Sequence, residues 1–249
     1  MTDTIAFLDE LAANAWPPIV QQGLEGWRVR ASDGVTRRAN SVLSIGPAPT
    51  YSDWFEDIEA FYVRRGLPVR FQVSPASPTD LDGFLETRGY KFDAETSVMT
   101  AATATVCEHA PSTSPVRVEA QPWVTSTWLD AFLQIEGFPP TKRHTYEHIL
   151  RSITPLACFV LASDGAQPVG TGLAVAERGW AGLFCIATAE SHRRQGIALR
   201  IISALADWSQ QQGAHNLYLQ VTANNKPAVS LYERLSFSHF YSYHYREKA

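Results

Sequence analysis

Ser191-His192-Arg193-Arg194-Gln195-Gly196-Ile197-Ala198 gathers two guanidinium groups and a glycine where a strand-like run gives way to a helix-like one. The first turn of a helix carries N–H groups with no intrahelical acceptor, and the helix dipole adds positive character there. Gly196 lets the backbone approach a ligand closely, and Arg193 and Arg194 add full charges. The chemistry this permits is anion binding, with a phosphate or pyrophosphate as the guest. The run is not a P-loop, because no Gly-Lys-Ser/Thr follows. It is not a dinucleotide fingerprint either, because the second and third glycines are missing.

The flanking elements must hold that loop in place. Gly182-Leu183-Phe184-Cys185-Ile186-Ala187-Thr188 has the β-branched and aromatic content of a buried strand. Beyond the loop, Ile197, Ile201, Leu205 and Trp208 recur at helical spacing, with Ala198, Ile202 and Ala206 widening the stripe as far as Gly213. Leu217-Tyr218-Leu219-Gln220-Val221 then reads as a strand. Asn224-Asn225-Lys226-Pro227-Ala228 opens a further helix that closes on Leu231-Tyr232-Glu233-Arg234-Leu235-Ser236-Phe237.

In this register, Arg193-x-x-Gly196-x-Ala198, Asn225-x-x-Ala228 and Leu231-Tyr232-Glu233-x-x-Ser236-Phe237 resemble the GNAT superfamily of N-acetyltransferases over residues 115–249. Ser236 departs from the glycine usual there. The resemblance implies an α/β fold with a mixed sheet and acetyl-coenzyme A as cofactor. It implies that the backbone of Cys185, Ile186 and Ala187 binds the pantetheine. Arg193, Arg194, Gln195, Gly196, Ile197 and Ala198 would hold the pyrophosphate, and Asn225 would touch the cofactor arm. Tyr232 falls on the family's acid for the leaving thiolate, and a phenol of ordinary pKa about 10 stays protonated at neutral pH. The bland alternatives are a packing role for Tyr232 and a helix-capping role for Asn225. The activity implied is transfer of an acetyl group to a primary amine, that of a small molecule, by direct attack in a ternary complex. No cysteine has the base-supported setting of a covalent intermediate. The alternatives are a non-catalytic acyl-coenzyme A sensor and an enzyme acting on a protein or peptide amine. Glu136 and Glu177 are the carboxylates nearest the acceptor side, neither declaring itself as a base, and His192 receives no role.

The first half repeats the end of the chain. Gly66 and Gly213, Leu85 and Tyr232, and Tyr90 and Phe237 all stand 147 positions apart. The expected architecture is therefore two tandem acyl-CoA N-acyltransferase-like (GNAT) folds, residues 1–110 and 115–249, joined by the polar, proline-containing segment Glu108–Pro115. Ahead of the helix expected over Tyr51–Arg65 stands Ile45-Gly46-Pro47-Ala48-Pro49-Thr50, whose prolines remove N–H donors and which has no Arg-x-x-Gly-x-Ala. The first half is thus expected to be a degenerate repeat without cofactor binding. Within it Asp33-Gly34 predicts a hairpin with a return strand from Val35 to Ile45, and Arg37-Arg38-Ala39-Asn40-Ser41 is either a solvated edge or an anion contact. Phe240-Tyr241-Ser242-Tyr243-His244-Tyr245 alternates as a strand with three tyrosines on one face.

Composition sets the outer bounds. At 249 residues the chain has room for two cores, and a net charge of −4 excludes a broad nucleic-acid-binding face. Cys107, Cys158 and Cys185 are too few and too widely spaced for a disulfide framework or a metal site, so free thiols and no metal are expected. No run reaches membrane-spanning length and the N-terminus lacks a basic leader, which predicts a cytoplasmic protein with no membrane partner. A homodimer stays open.

Overall fold

A computed structural model of the chain describes residues 2–110 and 114–249. Residues 111–113, in the middle of the expected linker, lie outside the described residues. The chain forms two compact units: residues up to Ser97 together with Tyr241–Ala249, and Val98–Phe240. These bounds differ from the expected division at 110–115, because two strands begin in one unit and end in the other.

The first unit opens with helix α1 (Thr2–Ala15), followed by β1 (Val20–Leu24), β2 (Trp27–Ala31) and the two-residue β3 (Val42–Leu43). Then come α2 (Trp54–Val63), β4 (Val69–Val73), α3 (Leu81–Thr87) and the start of β5 (Lys91–Ala102). Strand β1 pairs antiparallel with β2, β2 antiparallel with β3, and β3 parallel with β4. The far end of the last strand, β11 (Ser238–Lys248), pairs antiparallel with β4, from His244↔Val73 to Lys248↔Val69. Trp27, Phe55, Phe71 and Tyr90 fill the core between sheet and helices. The expected return strand shrinks to β3 because the Asn40 side chain takes over the backbone. Its Oδ1 accepts from the N–H of Ser32 (2.7 Å) and of Gly34 (3.0 Å), and its Nδ2 donates to the carbonyl of Thr36 (2.8 Å), so 32–40 closes as a loop. The polar cluster at 37–41 is likewise absorbed. Arg37 pairs with Asp93, while Asn40 and Ser41 are buried.

The second unit takes the end of β5, then α4 (Thr103–His109), β6 (Arg117–Gln121), α5 (Ser126–Glu136) and α6 (Arg143–Arg151). A meander of β7 (Leu156–Asp164), β8 (Gln167–Glu177) and β9 (Trp180–Thr188) follows, then α7 (Ile197–Gln211), β10 (Asn216–Thr222), α8 (Lys226–Arg234) and the start of β11. Strands β6 to β9 are antiparallel neighbours, β9 and β10 are parallel, and β5 lies beside β10. Helix α4 was not foreseen. Its only buried aliphatic side chain is Val106, too little to show a helical period.

The helix ends at the positions compared in the sequence share one hydrogen-bonded form, which α5 also takes at Gly137. The N–H of Leu67 donates to Tyr62 O (3.1 Å) and that of Ala214 to Ser209 O (3.0 Å), after Gly66 and Gly213 in left-handed conformation. The N–H of Tyr90 donates to Leu85 O (3.1 Å) and that of Phe237 to Tyr232 O (3.0 Å). Ser236 keeps the left-handed turn that Gly89 makes in the first unit, with φ of 67° against 83°. Its departure from glycine therefore leaves the turn intact.

Candidate active site

The site is built where β9 leaves its neighbours. Its parallel pairing with β10 runs from Asn216↔Trp180 to Leu219↔Leu183. Against β8, Thr171 faces Ala187 while Leu173 faces Phe184, so β9 holds one extra residue. Cys185 takes up that excess with a φ of 52°, and the Thr171 hydroxyl donates to its carbonyl at 3.0 Å. Such a bulge turns backbone groups out of the ladder toward whatever lies beside the strand.

Helix α7 is drawn against this bulged sheet by Ile197, Ile201 and Leu205, all buried, and it starts at Gly196 with a φ of 75° and no side-chain cap. Its first turn carries no acidic residue, whereas that of α2 carries Glu56 and Asp57. Helix α8 is capped instead, Asn225 accepting from the N–H of Ala228 at 3.3 Å, so the capping role read from the sequence is real.

The end of β9, the start of α7 and one face of α8 border a cleft of about 1200 Å³. Of the expected residues, Ile186, Ala187, Arg193, Arg194, Gly196, Ile197, Ala198 and Asn225 line it. Cys185, Gln195 and Tyr232 are not part of its lining. Cys185, the bulge residue, is half-buried, and Gln195 points its amide at the Ser191 carbonyl (3.3 Å). Tyr232 is buried with its ring edge against Phe237 at 5.9 Å. Burial pushes the Tyr232 phenol up to about 12, with the Glu136 charge adding to the rise.

Glu136 lines the cleft and Glu177 does not; Glu177 is paired with Arg178 at 3.2 Å. The Glu136 side chain is open to the cleft, yet the protein atoms around its carboxyl desolvate it and raise its pKa, against the opposing pull of Arg193. Tyr146 of α6 does not line the cleft. It is buried, and its phenol is pushed up by burial, then by Cys185 and by Glu136. Its signal in the sequence was only the helical spacing it shares with Ile149 and Leu150. His192 also lines the cleft, with Nδ1 2.8 Å from Ser191 Oγ.

The fit of an anionic, thioester-bearing cofactor can be tested on the site itself. Thr188 Oγ1, on the cleft wall, is buried with no hydrogen-bond partner. The α7 amide end, Arg193 and Arg194 are the donors such a group requires. The residues fit.

A family profile described as "Probable histone acetyltransferase Rv0428c C-terminal" matches residues 2–246. The chain belongs to this family, within the GNAT superfamily of N-acetyltransferases. It is 35% identical over 246 residues to an uncharacterized N-acetyltransferase, YobR, of Bacillus subtilis, which covers 99% of both chains. Among solved structures it resembles a GCN5-related N-acetyltransferase from Kribbella flavida, with a TM-score of 0.70 at 14% identity over 98% of this chain and 95% of that one. It also resembles a tandem GNAT protein from the clavulanic acid biosynthesis pathway, with a TM-score of 0.69 at 10% identity over 97% and 87%. These likenesses show the GNAT fold, in the latter case in tandem. Among the described residues no helix is long and apolar enough to cross a membrane.

Proposed function

We propose that this GNAT enzyme transfers an acetyl group from acetyl-coenzyme A to a primary amine of a small molecule, by direct attack in a ternary complex. The observation that carries the reading is the start of α7. It is free of acidic residues, flanked by Arg193 and Arg194, and opens on the same cleft as the bulged end of β9. Bound acetyl-coenzyme A would supply the acetyl group as a thioester. Arg193, Arg194 and the N–H groups of Ile197 and Ala198 would hold its pyrophosphate, and the β9 segment Cys185–Ala187 its pantetheine arm. Tyr232, protonated at all physiological pH, would be the proton donor to the leaving thiolate. The first unit would bind no cofactor, because the corresponding helix α2 presents Glu56 and Asp57 to any anion at its start.

Calorimetric titration with acetyl-coenzyme A tests this. One site per chain is expected, lost in the Arg193→Ala/Gly196→Trp double variant, together with thiol release in the presence of an amine panel. Two sites per chain would overturn the reading of the first unit, and no binding would overturn the whole. A protein amine is the second reading, favoured by the description of the matching family, and histone-tail peptides in the panel separate the two.

A further inference from the structure

In the β8 run Val169-Gly170-Thr171-Gly172-Leu173-Ala174-Val175-Ala176, Thr171 is the one residue with a polar side chain. A hydroxyl buried in such a strand costs free energy unless it is hydrogen-bonded, and valine has the same shape with nothing to satisfy. Thr171 is fully buried, and it donates its one hydroxyl proton to the Cys185 carbonyl at 3.0 Å.

The acceptor of that bond is the bulge itself. Between the pairs Thr171↔Ala187 and Leu173↔Phe184, the single residue Gly172 stands opposite both Cys185 and Ile186. Cys185 lies at a φ of 52°, a left-handed conformation that a residue with a Cβ leaves unless its surroundings hold it. A Cβ at Gly170 or Gly172 would meet Ile201 of α7, at 2.8 Å or 2.4 Å. Side chains alternate along a strand, so Thr171 stands on the face away from α7. It draws the Cys185 carbonyl toward β8 on that face. A peptide unit is planar and trans, and its N–H points opposite to its C=O. The N–H of Ile186 is therefore directed the other way, to the side on which α7 begins. There the pairing of β9 with β10 runs no further than Leu219↔Leu183, and Ile186 lines the cleft.

Resting on the acetyltransferase reading above, we propose that Thr171 is a positioning residue. Its hydroxyl fixes the Cys185–Ile186 peptide unit, and through it the grip of β9 on the pantetheine arm of the cofactor. Arg193, Arg194 and the first amides of α7, which would hold the diphosphate, lie outside the reach of this bond. The two ends of one ligand must then respond differently to its loss.

Calorimetry with two probes separates those ends: coenzyme A carries a diphosphate and a pantetheine arm, ADP a diphosphate alone. Thr171→Val removes the hydroxyl and keeps the shape. It should weaken coenzyme A about tenfold, the scale of one lost hydrogen bond, while ADP binds within about twofold of wild type. Thr171→Ser, which keeps the hydroxyl, should bring coenzyme A back to within about threefold of wild type. Thr171→Ala brings no methyl group against the carbonyl and carries the valine expectation if the valine chain does not fold. Loss of both probes in equal proportion would make Thr171 a packing residue of the sheet and overturn the proposal alone. Unchanged coenzyme A affinity without the hydroxyl, or a serine variant as weak as the valine one, would do the same. Failure of the wild type to bind coenzyme A sinks the acetyltransferase reading and the proposal with it.

Discussion

Gly172 of β8 lies under α7, and filling that contact should reach the cleft. A Cβ at this position would stand 2.4 Å from Ile201 Cγ2 and 2.9 Å from Leu205 Cδ1, where ordinary contact begins at 3.4 Å. The helix must therefore retreat by about 1 Å or its side chains must leave their rotamers. Ile201 is β-branched and Leu205 fully buried, so neither swings aside cheaply. Overpacking of this kind costs about 1–3 kcal/mol. The same helix presents Ile197 and Ala198 to the cleft, and a shift of about 1 Å lengthens hydrogen bonds worth roughly 1 kcal/mol each. Gly172→Ala should thus lower the urea midpoint by that cost at unchanged slope and weaken coenzyme A binding about tenfold. Gly23→Ala, in β1 with nothing within 4 Å, should change neither. A Gly172→Ala protein with wild-type midpoint and wild-type affinity would refute the argument that packing against β8 sets the position of α7.

Tyr232→Phe should lower turnover by about 100-fold or more while acetyl-coenzyme A binds within about twofold of wild type, by stopped thiol-release assays and calorimetry; equal turnover would leave Tyr232 only its packing role. Asp9, buried in the first unit, accepts from Ser74 (2.6 Å) and Tyr241 (2.7 Å), yet burial outweighs these bonds and the Arg30 charge and pushes it up to about 6. Between about pH 4 and pH 6 the folded chain keeps a proton there that the unfolded chain has released. Stability therefore falls as pH rises through that window, by up to about 3 kcal/mol, and levels off above it. Denaturation midpoints of the wild type and Asp9→Asn across that range check this, and parallel slopes would exclude Asp9 as the cause.

What the sequence made legible was local. The Arg193–Ala198 loop, its helix and the capping Asn225 are written in residues adjacent along the chain, and Leu85–Tyr90 and Tyr232–Phe237, 147 positions apart, end their helices with the same backbone hydrogen bond. The β9 bulge was not legible, because the extra residue at Cys185 exists only relative to its register with β8. The tyrosine-rich strand was read correctly as a strand with Tyr241, Tyr243 and Tyr245 on one buried face. Its partner β4 lies far upstream, and no short-range pattern names it. The loop at 32–40 was missed because a single side chain, Asn40, satisfies backbone groups that alternating hydrophobicity had assigned to a ladder. Glu136 was visible as a residue type, but its nearness to Arg193 and Tyr232 is a product of tertiary packing.

The pairing of β11 with β4 has a bearing on biosynthesis. Val69 meets Lys248, so the first unit's sheet waits for a strand made after the whole second unit. At about 5–20 residues per second, the intervening chain takes roughly 10–35 s to emerge from the ribosome, during which β4 has an open edge. Nascent-chain protease protection should therefore rise late for residues 2–97, after the second unit rather than before it, reversing the usual order from the N-terminus.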